Sequence, residues 1–437
     1  MKLNADQKSA VERIVRFFTE EKGLGITLVG PGGSGKTTSI MFAVQELLDA
    51  GLKVLMSAPT NKAVKQLEKS AREFGLSTEN VAFQTVHSAL GLAMLPNEEN
   101  KYATKVAKGV LPIFDVVIID ECSMLGKRVM YKHLLPECEE HGTRLLNMGD
   151  DMQLPPPLED ISPSFTEFEV LRLEKVERQA EGSEILSVAG TLRTAMLEDK
   201  PFKAPEPEGR NIEFIKPGHF LKELVEHFDV DTDLEEQRVL AWSNRRVNEV
   251  NGAIRKKLFG PRPPRFVEGE RVVTGAPLKT IDGDILLSTD EECFVHNITE
   301  SSVFDEHSGE DYKVYRLVLK PIYEDNVSQA IANVLHESER ERYTEQLERT
   351  ARMAKASGSD ARKVWAQYWA FKELFADIRY CYCITIHRAQ GSTFGTTFLD
   401  VKDVLRNNKR FERQRLTYVG YSRPRHRLLV NKRKFVA

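Results

Sequence analysis

Apolar and polar residues alternate along this chain in two rhythms. In the first 180 residues, apolar runs at 26–29, 54–57, 116–119 and 145–148 have the length of buried strands, while 5–19, 39–50 and 62–74 repeat their apolar positions at helical spacing. Such alternation predicts a parallel sheet covered by helices on both faces. Between 90 and 111 the pattern breaks, and NEEN at 97–100, flanked by short strand-like runs, predicts a protruding hairpin. The proline-rich stretch 199–211 marks a surface excursion, and a second βα unit follows with strands at 212–215 and 239–242 and a helix at 246–258. GPRPPRF at 260–266 marks a boundary. After it, β-rich segments at 271–274, 293–298 and 314–319 predict a small barrel, and two helical patterns broken at 356–360 follow. In the second, Val364, Trp365, Tyr368, Trp369, Lys372 and Phe375 recur at helical spacing, which predicts the core of a helix hairpin rather than a base-stacking platform. A strand at 381–386, a helical stretch and a strand at 427–431 end the pattern.

Composition narrows the class. The 437 residues are enough for about three domains, and 41% apolar with 29% charged residues describes a globular protein. No apolar run approaches membrane-spanning length, and the first residues lack the apolar core of a secretory signal. Five cysteines (122, 138, 293, 381, 383) form no zinc-like spacing, so reduced thiols and a cytoplasmic setting are expected. The net charge of −3 gives no hint of a polyanion partner. Residues 405–437, however, carry eleven Lys/Arg against one acid, Glu412, a local excess suited to nucleic acid.

The strongest chemical signal is GPGGSGKT, Gly30, Pro31, Gly32, Gly33, Ser34, Gly35, Lys36 and Thr37, followed by Thr38. Between a strand and a helix this spacing is a phosphate-binding loop, whose backbone N–H groups and helix N-terminus cradle a triphosphate. Lys36 would reach the β and γ phosphates, and the Thr37 hydroxyl would ligate Mg²⁺. VVIIDEC at 116–122 ends a strand in two acids: Asp120 to hold Mg²⁺, Glu121 to polarise the attacking water. GDDMQ at 149–153 closes a third strand and offers Gln153 as a γ-phosphate sensor.

In this order the three motifs resemble motifs I, II and III of superfamily 1 helicases, and the likeness continues nearly end to end. Gln7 in NADQKSAV matches the adenine-reading glutamine. SAPTNKAV, with Pro59, Thr60 and Asn61, matches motif Ia, and FQTVHSAL, with His87, matches the next strand-contacting motif. LEKVERQ resembles motif IV with Arg178, TIHRAQGST resembles motif V with Thr385, His387 and Gly391, and YVGYSRPR resembles motif VI with Arg423. Within the superfamily the chain is similar to the RecD-like (1B) branch, also through LAWSNRRVNEVN, which holds Asn244, and the GERVVTGAPL opening of the barrel.

The resemblance implies an α/β fold of two RecA-like cores: 1A over 1–89 and 110–177, and 2A over 178–260 and 378–437. Hairpin 1B at 90–109 would interrupt the first, and domain 2B at 261–377, an SH3-like barrel with a helical tower, the second. It further implies ATP with Mg²⁺ in the seam between cores, Arg178 and Arg423 reaching across it, and single-stranded DNA over the top on Pro59, Thr60, Asn61, His87, Asn244, Thr385 and His387. Movement 5′ to 3′, a monomeric unit, a single-stranded-DNA-binding protein as partner, and a wedge made by Pro96 and Tyr102 are expectations of the same kind. Pro424 stands between the motif VI arginines where a small residue is usual, and Arg388 stands where motif V has lysine, which is not an interchangeable charge. A different reading is an ATP-gated clamp on single strands that unwinds nothing.

Overall fold

The computed structural model describes residues 2–77, 80–97, 100–174, 183–216, 218–279, 285–322 and 329–437, with the side chains of 94–103 outside the description. The chain opens with α1 (Ala5–Glu20), started by a reciprocal cap in which Asn4 and Gln7 each accept the other's backbone N–H. Then come β1 (Gly25–Val29), α2 (Lys36–Asp49), β2 (Val54–Ala58), α3 (Asn61–Phe74) and β3 (Val81–Thr85). An antiparallel hairpin of β4 (Leu92–Asn97) and β5 (Asn100–Lys105) interrupts them, before β6 (Val116–Ile119), β7 (Arg144–Gly149) and β8 (Glu169–Arg172). The hairpin apart, these strands form one parallel sheet in the order β3-β2-β6-β7-β1-β8. β1, β2 and β6 are buried along their whole length, as continuous apolar strands between two helical layers must be.

A second parallel sheet begins with β9 (Ile212–Phe214) and β10 (Gln237–Ala241). The chain then leaves it for an antiparallel, barrel-like domain: β11 (Arg271–Thr274), the small pair β12 (Leu278–Lys279) and β13 (Ile285–Leu287), β14 (Glu292–Asp305), β15 (Glu310–Pro321), β16 (Ala330–Leu335) and β17 (Ile378–Tyr380). Its main sheet has the order β16-β15-β14-β11-β17. Helices Arg340–Ala356 and Ala361–Glu373 stand on it as a hairpin, the second packing against β4 of the protruding hairpin. Trp365 and Trp369 are buried in this helix pair, where the aromatic spacing assigned them. The chain returns with β18 (Cys383–Thr385), β19 (Phe394–Leu399) and β20 (Pro424–Val430), giving the parallel order β18-β10-β19-β20-β9. The fold is two RecA-like cores, one carrying an inserted hairpin and the other an SH3-like barrel with a helical tower.

One sequence reading is sharpened by the structure and one needs correction. The strand expected at 381–386 is Cys383–Thr385, paired with β10 in the second core, while Ile378–Tyr380 just before it pairs with β11 in the barrel, so the chain changes domain between Tyr380 and Cys383. Residues 381–386 are all buried although only 383–385 form a strand, so the apolar run overstates the strand's length. The basic segment 405–437 is not a free polyanion surface either. Arg410 pairs with Asp199, Arg425 with Glu236, Arg427 with Glu213 at 2.5 Å, and Lys434 with Glu206 at 3.0 Å. Local charge counting misses partners that come from some two hundred residues away. Among the described residues no helix is long and apolar enough to cross a membrane.

Candidate functional site

The phosphate loop leaves β1 at Gly30, whose N–H donates to Gly149 O of the neighbouring β7 at 3.1 Å. Gly33 and Gly35 have φ of 84° and 82°, a region open mainly to glycine, and Gly35 is the N-cap of α2. Gln7 lies buried beneath the loop: its Nε2 donates to Ser34 O at 3.1 Å while its Oε1 accepts the Asn4 N–H at 3.0 Å. The amide thus braces the loop, and a Cβ on Gly35 would stand 2.1 Å from it. Lys36 Nζ donates to the loop carbonyls of Gly30 at 2.7 Å and Pro31 at 3.1 Å. Thr37 and Thr38 open α2 behind it.

Asp120 and Glu121 follow β6. Burial pushes the Asp120 carboxyl up to about 7, with the neighbouring Glu121 charge adding to the rise, while the Glu121 N–H and Lys36 pull it down. Burial also raises Glu121, against the opposing pull of Arg423 and Lys36. These charges therefore lie within electrostatic reach of one another, although Arg423 belongs to the second core. Glu121 sits at φ 50° and ψ 38°, left-handed for a residue with a side chain, and among the described residues its Oε2 is buried without a hydrogen-bond partner. Strain and an orphaned carboxylate oxygen together mark a group held for a ligand. Two adjacent acids short of positive charge also fit a divalent cation. No cluster of three His, Cys, Asp or Glu occurs among the described residues, so a cation here would share its ligands with a phosphate, as Mg²⁺ commonly does.

The second core closes over this wall. A Cβ on Gly391, φ 76°, would lie 3.6 Å from Glu121 Oε1. Gln390 Nε2 donates to Ser123 Oγ at 3.0 Å and Leu154 O at 3.3 Å, a crossing of the seam that sequence reasoning missed although the residue lies in TIHRAQGST. Arg423 is 5% exposed and hydrogen-bonded within its own core, to Val419 O and Ser392 O at 3.1 and 3.0 Å. Pro424 begins β20, the strand position that tolerates a missing N–H, and Phe394 N–H still reaches Arg423 O at 2.9 Å. Gln153 is buried on the β7 loop with Oε1 unpartnered among the described residues. Arg178 lies outside the described residues.

Beside the seam runs a groove lined by Thr60, Asn61, Glu121, His387, Arg388 and Gly391, with Ser288–Glu292 of the barrel as its far wall. Thr60 caps α3 by accepting Ala63 N–H at 3.3 Å, and Pro59 precedes it. Asn61 contacts Ser288, and Arg388 pairs with Asp290 at 3.0 Å. Thr385 lies under the groove, its Oγ1 accepting Arg388 N–H at 3.3 Å. His87 and Asn244 are not among the residues lining it. His87 has a lowered pKa from burial and the nearby His133, and Asn244 is the exposed first residue of helix Asn244–Phe259. Pro96 and Tyr102 occupy β4 and β5, with Tyr102 opposite Leu95; their side chains fall outside the description.

Two RecA-like cores, with Glu121 and Lys36 of one facing Gly391 and Arg423 of the other, have the architecture of a helicase-class motor, and the chain's likenesses to known proteins lie in the same class. Residues 2–208 match the AAA domain family, 264–380 the family described as the Dda helicase SH3 domain, and 380–430 the UvrD-like helicase C-terminal domain. Taken in order along the chain, these matches make it similar to the superfamily 1 helicases of the RecD-like 1B branch. It is 27% identical to the ATP-dependent DNA helicase dda of Enterobacteria phage T4, over 97% of this chain and 98% of that one. It is 32% identical to the ATP-dependent RecD2 DNA helicase of Deinococcus radiodurans, over 38% of this chain and 21% of that one. Among solved structures, Pif1 helicase from Bacteroides in complex with ADP-AlF3 and single-stranded DNA shares the fold at TM-score 0.52 and 16% identity, covering 99% of this chain and 93% of that one.

Proposed function

We propose that the protein is an ATP-dependent DNA helicase that steps 5′ to 3′ along single-stranded DNA and opens the duplex ahead of it. The observation that carries the reading is the split site: Glu121 and Lys36 stand on one core, Gly391 and Arg423 on the other, within reach of one another. A hydrolysis site divided in this way is complete only when the cores are closed. Nucleotide state and core spacing are then one variable.

Lys36 and the loop N–H groups bind the triphosphate, and Glu121 orients and deprotonates the attacking water. Arg423, joined by Arg178, offsets charge developing on the transferred phosphoryl, a role worth roughly three to five orders of magnitude in rate. Thr37 and Asp120 would hold Mg²⁺, which when bound supplies the positive charge this acidic wall lacks. Pro59, Thr60, Asn61, Thr385 and His387, with His87 and Asn244 further along, would hold the strand. Opening one base pair costs about 1.4 kcal/mol. Releasing and remaking stacking contacts worth about 1–3 kcal/mol each covers that cost per cycle. Pro96 and Tyr102 form the wedge. We assign a monomer as the working unit, in the cytoplasm, with a single-stranded-DNA-binding protein sharing its substrate. Strand separation on duplexes with a 5′ or a 3′ overhang tests activity and polarity together. Opening of the 5′-tailed substrate alone is expected. Opening of the 3′-tailed one alone refutes the polarity, and ATP hydrolysis with neither opened favours the clamp.

A further inference from the structure

The loop after β7 carries the buried Gln153 amide, and the opposite core grips it. Tyr418 Oη donates to Asp150 Oδ2 at 2.6 Å, and Arg193 spans both acids, contacting Asp150 and donating to Asp151 Oδ1 at 2.9 Å. Arg415 Nη1 donates to two main-chain carbonyls, Asp151 O at 2.9 Å and Gln153 O. Arg193 lies on helix Glu184–Leu197 and Arg415 and Tyr418 on helix Arg410–Ser422, which pack together in the second core. Asp150 is 1% exposed and Tyr418 2%, so these bonds are shielded from water.

The Arg415 contact differs in kind from its neighbours. Arg193 and Tyr418 satisfy carboxylates, which any nearby donor could do. Arg415 holds the backbone on either side of Met152, in a loop already turned by Gln153 N–H to Asp150 O at 3.1 Å and Met152 N–H to Asp150 Oδ1 at 3.1 Å. A guanidinium bridging carbonyls two residues apart fixes the curvature between them, and with it the direction of the Gln153 side chain. Arg423, by contrast, hydrogen-bonds inside its own core.

We infer that Arg415 is a positioning residue: from the second core it sets the Gln153 loop of the first, so that loss of the γ phosphate is transmitted to core spacing and DNA grip. The inference rests on the helicase reading above. The test uses the full chain with Arg415→Met, which keeps the stem and removes the donors, and Arg415→Gln, which keeps a shorter amide donor. Steady-state ATP hydrolysis with saturating single-stranded DNA, and affinity for a fluorescent oligothymidine with ADP-aluminium fluoride and with ADP, are measured for each. Expected is a kcat lower by about tenfold or more, the loss of one charged hydrogen-bonding group, with KM for ATP little changed. The difference in DNA affinity between the two nucleotide states collapses toward unity. Either variant that folds, by an unchanged thermal midpoint, decides the question. Wild-type kcat and a wild-type affinity difference in a folded variant overturn the inference. A parent protein with no DNA-stimulated hydrolysis overturns the helicase reading and this inference with it.

Discussion

Glu121 gathers the chemistry of the site into one side chain. Its backbone is left-handed at φ 50°, its Oε2 is buried without a partner among the described residues, and Gly391 and Arg423 face it from the other core. A strained, desolvated acid makes a poor structural residue and a well-placed base. Glu121→Gln keeps the size and the hydrogen-bonding oxygen while removing the basicity. It is expected to lower single-turnover hydrolysis by about 10²- to 10⁴-fold, the usual worth of a general base. Nucleotide binding, measured by quenching of a fluorescent ATP analogue, should persist, because Lys36 and the loop are untouched. Hydrolysis within a few-fold of the parent would move the base elsewhere.

At the scale of elements, the proposed mechanical role falls to the hairpin β4–β5. It protrudes from the first core and is touched by helix Ala361–Glu373 of the tower, so it has support on its far side. Tyr102→Ala is expected to slow unwinding of a tailed duplex several-fold while DNA-stimulated hydrolysis stays near that of the parent. Equal loss of both would make the hairpin part of the DNA grip rather than a wedge. The hairpin was legible because its tip sequence breaks an otherwise regular βα pattern, and strands β1, β2, β6 and β7 with the first three helices were legible because periodicity and burial coincide there, whereas the half-buried Val81–Thr85 was not. Elements whose signal is weak locally were not. Glu169–Arg172 is a partly exposed strand at the sheet edge, and Phe394–Leu399 contains two threonines and a glycine that blunt its apolar run. Of the site, the residues borne on contiguous motifs could be named from sequence. The grip of Arg193, Arg415 and Tyr418 on residues 150–153 could not, because it joins segments some 40 to 270 residues apart, through two arginines outside every motif and a tyrosine that opens YVGYSRPR with no partner its motif would name.

For the whole molecule the decisive question is which parts move together. Arg238, fully buried on β10 of the second core, holds Glu292 of the barrel through two bonds at 3.2 and 3.1 Å, and Arg271 adds a third at 2.6 Å. Arg255 and Glu270 repeat the arrangement at 2.6 Å. The barrel touches the first core more lightly, by the exposed Asn61 on Ser288 and by the half-buried Lys65 and Glu291 at 3.7 Å. The barrel should therefore travel with the second core and slide on the first. Burial opposes the Glu292 charge, but Arg238 and Arg271 outweigh it and hold the carboxyl below its ordinary 4.5. A depressed folded-state pKa gives stability that is present above 4.5 and is lost as pH falls through the lower, folded value. Glu292→Gln leaves the buried Arg238 guanidinium without its counter-charge, while Arg271 keeps Glu235, a loss of about 3 kcal/mol at neutral pH. Urea midpoints of parent and variant should differ at pH 7 and converge as the solution is acidified below 4.5. At neutral pH the folded variant should hydrolyse ATP at nearly the parental rate yet open fewer base pairs per ATP, since a barrel loosened from the second core no longer shares its step. A variant as stable as the parent and equally well coupled would place the rigid joint elsewhere, in the chain crossing between Tyr380 and Cys383.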